Sequence, residues 1–403
     1  MTEIKVDNIV NVAGTGKPNF PVSPTVGNNA ALSTLNTYSY VSSGTAPEGS
    51  IKNGALWWDS ANNKSYVYIN NVWKEIELGT AYSSSSRHGD RGFSVSAHGA
   101  TNRISRVDIT TTGNMVDHAD LDVTRKRSAT CSSGTYCFAF GGNTTPLGNG
   151  VQSNSTAPYN SNSYIHNSIS YWESATTNNA ADFGDCSSKS QDGSAVSDGT
   201  TGAHATADSQ GTGAALNTID KHTLATPANA TDFGDLTLTR RFLADCSASN
   251  ETRGVFACGL GPPPSYASYN TIDYITIATP GNAIDFGDLI GGRYGAAGAG
   301  TGSGDRGLFF GGIGSGSYNR IEYVTLSTTG NATDFGDNTL NDFNTTYSGA
   351  MNNATRAISL MADGSMSYVT MDTTGNATDF GDQTGQTGSA PYRYVEGVSG
   401  NAS

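Results

Sequence analysis

Charge, apolar bulk and cysteine are all in short supply in this sequence. Charged residues make up 14% and hydrophobic residues 36% of the 403 positions, where globular domains average about 25% and, with glycine counted, about 45–50%. A chain poor in both is neither an ordinary helical enzyme nor a charge-driven disordered segment. The five cysteines, Cys131, Cys137, Cys186, Cys246 and Cys258, are irregularly spaced and include no CxxC pair. That excludes a disulfide framework and leaves small buried thiols as the expectation, with a local Cys131–Cys137 bridge as the alternative. There is no long apolar run, and the opening Met1-Thr-Glu-Ile-Lys-Val-Asp lacks the order of a signal peptide, so no membrane insertion is expected. Lys and Arg number 22 against 35 Asp and Glu, for a net charge of −13. Without a basic stripe, nucleic acid is excluded as a partner. The six histidines never fall two to five residues apart, so spacing offers no metal-ligand pair and no cofactor is expected.

What is abundant is turn and short-strand material: 50 glycines with many Asn, Ser and Thr. It is organised by a repeat. Thr231-Asp-Phe-Gly-Asp235 recurs at 284–288, 333–337 and 378–382, and with Ala first at 181–185. A worn copy at 116–120 carries His118 for the Phe and Ala119 for the Gly. The first Asp of each copy stands at 117, 182, 232, 285, 334 and 379, so the steps are 65, 50, 53, 49 and 45 residues. Units of that length are propeller blades of the kelch kind. In the 238–289 unit, strands are expected over 241–248, 254–259, 271–278 and 283–289. The first unit lacks a first strand, and a spare segment, Pro391–Val398, follows the last. The expected fold is therefore all-β: a six-bladed kelch-like β-propeller over 81–403, closed by a C-terminal strand that leaves no open sheet edge.

Six equivalent copies of an Asp-rich turn do not make a catalytic site, so no enzyme is expected. Phe183, Phe233, Phe286, Phe335 and Phe380 read instead as plugs in the seams between blades. Gly184, Gly234, Gly287, Gly336 and Gly381 read as positions whose backbone excludes other residues. The aspartates are expected to accept backbone N–H bonds or to pair with Arg125, Arg240 and Arg293, five residues beyond. Calcium at some copies is kept as an alternative, because oxygen-rich loops suit it. The sequons at Asn229, Asn331 and Asn376 read as turn asparagines.

Residues 1–80 lie outside the repeat. Residues 1–50 read as an extended arm and 51–80 as a β-meander, with Trp57, Trp58, Tyr66, Tyr68 and Trp73 as a small aromatic core, or alternatively a sugar-binding surface. Two loops between second and third strands stand out. Gly142–Ser168 carries Tyr159 and Tyr164, and Gly261–Tyr269 carries Tyr266 and Tyr269. These four tyrosines are the candidate binding residues, since Tyr, Ser, Asn and Gly are the contact residues of adaptable loops.

The stretch Gly54 to Trp73, Gly-x-Leu-Trp-Trp-Asp-Ser-x-Asn-Asn-Lys-x-Tyr-Val-Tyr-x-Asn-Asn-x-Trp, resembles a short β module of tail fibres and other appendages of tailed bacteriophages. The opening Ile4-Lys-Val-Asp-Asn-Ile-Val-Asn is similar to the start of virion proteins of marine, especially cyanobacterial, phages. The Gly-Asn-Ala-Thr-Asp-Phe-Gly-Asp repeat at 330–337 and 375–382 resembles their kelch-like propellers. The resemblance implies a virion structural protein, assembled in the host cytoplasm. Its N-terminal arm would bind other virion proteins, and its propeller a glycan or protein of the host surface. It also implies a homo-oligomer, a trimer as in many fibres. The alternatives are a purely structural or decoration subunit and, more weakly, a polysaccharide-degrading enzyme.

Overall fold

The computed structural model describes residues 25–26, 30–31, 41–43, 45–46, 55–59, 64–69, 72–76, 89–95, 101–144, 164–209, 214–300, 305–314, 319–338, 349–361, 363–383 and 395–401. The chain divides into two units, 1–82 and 83–403.

In the first unit, Leu56–Asp59, Lys64–Ile69 and Val72–Ile76 form an antiparallel meander. Val41–Ser43 adds to it in parallel beside Leu56–Asp59. The reading of 1–50 as an extended arm is thus corrected at 41–43, where a short polar segment finds an open sheet edge. Upstream, Thr25–Val26 pairs with Ala30–Ala31. Tyr68 and Trp73 face each other across two strands, with ring centroids 5.1 Å apart in an edge-on contact. Tyr66, Tyr68 and Trp73 are half-buried, while the side chains of Trp57 and Trp58 lie outside the described residues.

The second unit is an all-β ring of six blades, each built on four antiparallel strands, with the third blade's sheet extended by Ser190–Gln191 and Asp208–Ser209. Blade one consists of Glu396–Gly400, Arg91–Val95, Thr101–Asp108 and Val116–Arg125. Blade two is Ala129–Ser132, Tyr136–Phe140, Ser168–Glu173 and Ala181–Asp185. Blade three, the least legible in sequence, is Ser194–Ser197, Thr201–Ala205, Ala214–Thr223 and Thr231–Arg240. Blade four is Ser247–Ser249, Arg253–Ala257, Thr271–Thr276 and Ile284–Asp288. Blade five is Ala297–Ala299, Arg306–Phe310, Arg320–Thr325 and Thr333–Asp337. Blade six is Ala350–Asn352, Arg356–Leu360, Ser365–Thr370 and Thr378–Asp382.

The C-terminal strand closes the ring by pairing Glu396–Gly400 with Arg91–Val95, slightly later in the chain than the sequence pattern suggests. The six first strands touch one another in order around the axis. Crowding there explains their Ala, Ser and Gly: a Cβ on Gly298 would be driven into the backbone of Ser247. Six separate apolar clusters fill the six seams. Each buries only nine to twelve apolar residues, which is how a chain so poor in hydrophobic residues still builds a core.

The repeated motif makes those seams. In every blade the pairing of third with fourth strand skips the residue before the glycine position, a β-bulge that turns that side chain out of the sheet. Phe183, Phe233, Phe286, Phe335 and Phe380 are the skipped residues, each buried in a seam cluster. Four meet a tyrosine of their own blade edge-on, as Phe335 does Tyr323 at 5.9 Å. Gly184, Gly234, Gly287, Gly336 and Gly381 all have φ between 139° and 150°. Their missing Cβ lets the next blade's turn approach, with Gly336 lying against the Gly375 carbonyl.

The turn asparagines complete the clasp. The backbone N–H of the last motif aspartate donates to an Asn side-chain oxygen of the following blade at all six junctions. The pairs are Asp120 with Asn179, Asp185 with Asn229, Asp235 with Asn282, Asp288 with Asn331, Asp337 with Asn376 and Asp382 with Asn114, at 2.9–3.1 Å.

The arginines five residues on do not serve the motif aspartates. Arg240 pairs with Asp273 at 2.5 Å and Arg293 with Glu322, each on the third strand of the next blade. Arg125 bonds to Ser168 and Ser170 of blade two and stands 3.8 Å from Asp122. The motif aspartates face the solvent side of the bulge, so a buried guanidinium finds its partner across the seam instead. All five cysteines are buried free thiols, so no Cys131–Cys137 bridge forms.

Candidate binding face

Inter-blade connections and the loops between second and third strands emerge on one face of the ring. Here the backbone is held in left-handed conformations at non-glycine residues: Arg127, Asp192, Phe242, Ala244, Asp245 and Tyr266, with φ between 45° and 61°. Such residues cost free energy and persist only where surrounding contacts impose them. The contacts are ionic and aromatic. Arg127 pairs with Asp192 at 3.0 Å and Arg241 with Asp208 at 3.3 Å. The Arg241 guanidinium lies 4.7 Å over the Phe242 ring and 5.9 Å from that of Tyr266, while Arg127 lies 5.8 Å from Phe242. Tyr294 stands 6.0 Å from Phe242. Burial pushes the Asp192 carboxyl up to about 6, against the opposing pull of Arg127. The result is an arginine–aromatic patch spanning blades two to five, on a chain that is acidic overall.

The candidate tyrosines divide. Tyr266 is exposed at the patch. Tyr269 is half-buried and folds back: its backbone carbonyl accepts from Arg293, and a Cβ on Gly261 would come within 2.6 Å of its hydroxyl. Tyr164 lies in a two-residue strand, Tyr164–Ile165, paired with Asn143–Thr144, its side chain beyond the described residues, as is Tyr159 altogether. Sequence reasoning missed Arg127, Arg241, Phe242 and Tyr294. The signal was present: Arg241 and Tyr294 each follow the buried repeat arginine directly in the sequence.

The axis itself offers little room. A cavity of about 70 Å³ is lined by hydroxyls of Thr130, Ser132, Ser197 and Ser249 together with Asn352, far below the ~300–1,000 Å³ of small-molecule sites. At its wall, Asp245 accepts from the Thr130 N–H at 3.1 Å and its hydroxyl at 2.9 Å. Burial nevertheless pushes that carboxyl up to about 8.

Among the described residues, one group of four could hold a metal: Cys186, His204, Asp220 and His222, all buried. Burial pushes the Cys186 thiol up and brings both imidazoles down to about 3. Spacing rules could not find this group, because its four members come from three separate segments of chain.

With this geometry established, comparison with known proteins adds the architecture. No protein-family model matches the chain, and no curated protein matches its sequence. Among solved structures it is similar to the one titled "Structure of YjhT", at 10% identity and a TM-score of 0.50, over 68% of this chain and 87% of that one. The ring is a kelch-like six-bladed β-propeller. At that identity the likeness extends to the fold alone. The kelch-like propeller here has degenerate double glycines, retained at Gly141-Gly142 and Gly311-Gly312, both pairs at positive φ.

Proposed function

We propose that this chain is a non-enzymatic virion structural protein of the tail-fibre or appendage type, whose propeller attaches the particle to a host surface. The observation that carries the reading is the patch around Tyr266, where arginines stack on exposed and half-exposed aromatic rings. Aromatic faces suit the apolar faces of sugar rings, and Arg127 and Arg241, held in ion pairs with Asp192 and Asp208, fix those rings in place. The phage-like module at 54–73 supports the placement on a particle, with residues 1–50 meeting other virion proteins. A rigid ring with many copies per particle would turn weak single contacts into firm attachment.

The test is adsorption. The labelled full-length protein is expected to bind host cells saturably and to compete with the phage, and Tyr266→Ser to weaken binding about tenfold. Equal binding by Tyr266→Ser, or none by the unaltered protein, overturns the attachment reading. A particle reconstruction with the patch buried between subunits would favour the purely structural role, and release of reducing ends from host polysaccharide an enzymatic one.

A further inference from the structure

Three junctions of the ring place a buried acid at the same position on the third strand of the following blade. These are Asp220 in blade three, Asp273 in blade four and Glu322 in blade five, all fully buried. Each accepts an N–H from the residue two beyond the preceding motif: Ser187, Thr237 and Ile290 respectively. At two junctions the residue five beyond the motif supplies the counter-charge, Arg240 to Asp273 and Arg293 to Glu322. At the third that residue is Ser190, which carries no charge. A buried carboxylate without a cation is costly, and the chain has put something else beside it.

What stands there departs from the repeat. His204 is the direct cross-strand partner of Asp220. His222 lies two residues further along the same strand, hence on the same face. Its equivalents in the other blades, read from the pairing register, are Val107, Trp172, Ile275, Val324 and Val369, all apolar. Cys186 directly follows the last strand of blade two and faces them from across the seam. One donor atom from each of the four lies within 4.8 Å of all the others. The Cys186 Sγ to His204 Nδ1 separation is 3.6 Å, which matches the roughly 3.3–3.7 Å between donors around a tetrahedral zinc-sized ion. Both ring nitrogens of His222 are buried with no hydrogen-bond partner, a rare and unfavourable state for an imidazole. Phe140 walls the group off, its ring 5.3 Å from His204 and 4.6 Å from His222.

The geometry points to a structural divalent transition-metal site, of zinc type, in the seam between blades two and three. Cys186 Sγ, one nitrogen from each of His204 and His222, and one Asp220 oxygen are its ligands. Thiolate with imidazole selects this metal class over calcium or magnesium. Four protein donors with no open position make the site structural rather than catalytic. Binding releases one proton, that of the Cys186 thiol, as the sulfur–metal bond forms. The charges then balance, two negative ligands against a dication, as arginine balances acid in blades four and five. Ser187 orients the carboxylate by donating both its N–H and its hydroxyl to Asp220.

The experiment uses tag-free full-length protein. Produced with zinc and dialysed, it is expected to retain about one metal ion per chain by mass spectrometry of the metal. Cobalt exchanged into the site should give tetrahedral d–d bands and a thiolate charge-transfer band. Cys186→Leu and His222→Val restore residues that other blades carry at these positions, so they should fold. Each is expected to lose at least about nine-tenths of the metal, and Cys186→Leu the charge-transfer band. A strong chelator should lower the melting temperature of the unaltered protein and leave that of His222→Val unmoved. Unaltered protein that takes up neither zinc nor cobalt overturns the site. So does a folded His222→Val that holds as much metal as its parent.

Discussion

The side-chain oxygen of Asn114 accepts a hydrogen bond from the backbone N–H of Asp382 at 2.9 Å, so the sixth blade is latched to the first by the same bond that joins every other pair. Blade one lacks the Phe and Gly of the motif, yet the latch survives in it. It depends on the asparagine and on a backbone N–H, and not on the residues that make the motif visible.

Breaking one latch should therefore cost the same wherever it is done. Asn331→Ala and Asn376→Ala each remove one acceptor of an exposed bond, for a loss of about 0.5–1.5 kcal/mol in urea unfolding. A much larger loss at one junction than at the other would contradict their equivalence.

The glycine beside each latch is more demanding. At Gly336, with φ of +150°, an alanine would be strained and would also collide with the Gly375 carbonyl. Gly336→Ala is expected to destabilise by at least about 2 kcal/mol. Ala119, at the equivalent place in blade one, has no positive φ, so Ala119→Gly should cost only about 0.5–1 kcal/mol of backbone entropy. Chemical denaturation of both variants separates the two cases.

Much of this architecture was legible in the sequence, because a motif repeated six times at near-constant steps can hardly mean anything else. Phe233 or Phe380 could be placed in a seam from its repetition alone. What was not legible lies between repeats. The partner of Arg240 is a third-strand aspartate in the next blade, and nothing in the local spacing names it. Asn229 and Asn331 read as turn residues, although their side chains work across a junction. The Cys186, His204, Asp220 and His222 group sits where the repeat is most degraded, so the loss of pattern was itself its trace. The patch residues Arg241 and Phe242 were hidden behind the buried arginine that precedes them.

The pair Arg240 and Asp273 is fully buried, so removing one partner strands the other. Arg240→Met should destabilise by about 3–5 kcal/mol, and the double variant with Asp273→Leu should recover most of that loss. A double-mutant cycle measures the coupling. Additive effects would mean that the two do not act as a pair.

His118 occupies the seam position that Phe takes elsewhere, 4.9 Å from the Phe93 ring, with both nitrogens buried and unpartnered. Burial is the main cause holding its pKa down at about 4, with Arg106 and Arg91 adding to it. Folded protein therefore binds the proton less readily than unfolded chain. The unfolded imidazole titrates near 6.5, so this residue's contribution is intact above that pH and is lost as pH falls from there toward 4. His118→Phe is expected to raise stability, by about 2 kcal/mol more at pH 5 than at pH 7.5. Equal gains at the two pH values would contradict a neutral buried imidazole.

The pairing of Glu396–Gly400 with Arg91–Val95 also sets an order of events during synthesis. Every other sheet of the ring can assemble from strands made within one continuous stretch of chain, and so while translation proceeds. Blade one must wait, holding an unpaired strand edge until residues 396–400 have emerged from the ribosome. A ribosome that stalls or stops early leaves an incomplete ring with that edge still open, and open edges invite pairing with other chains. Ring closure is thus gated by this one strand, and is possible only when translation has run through it.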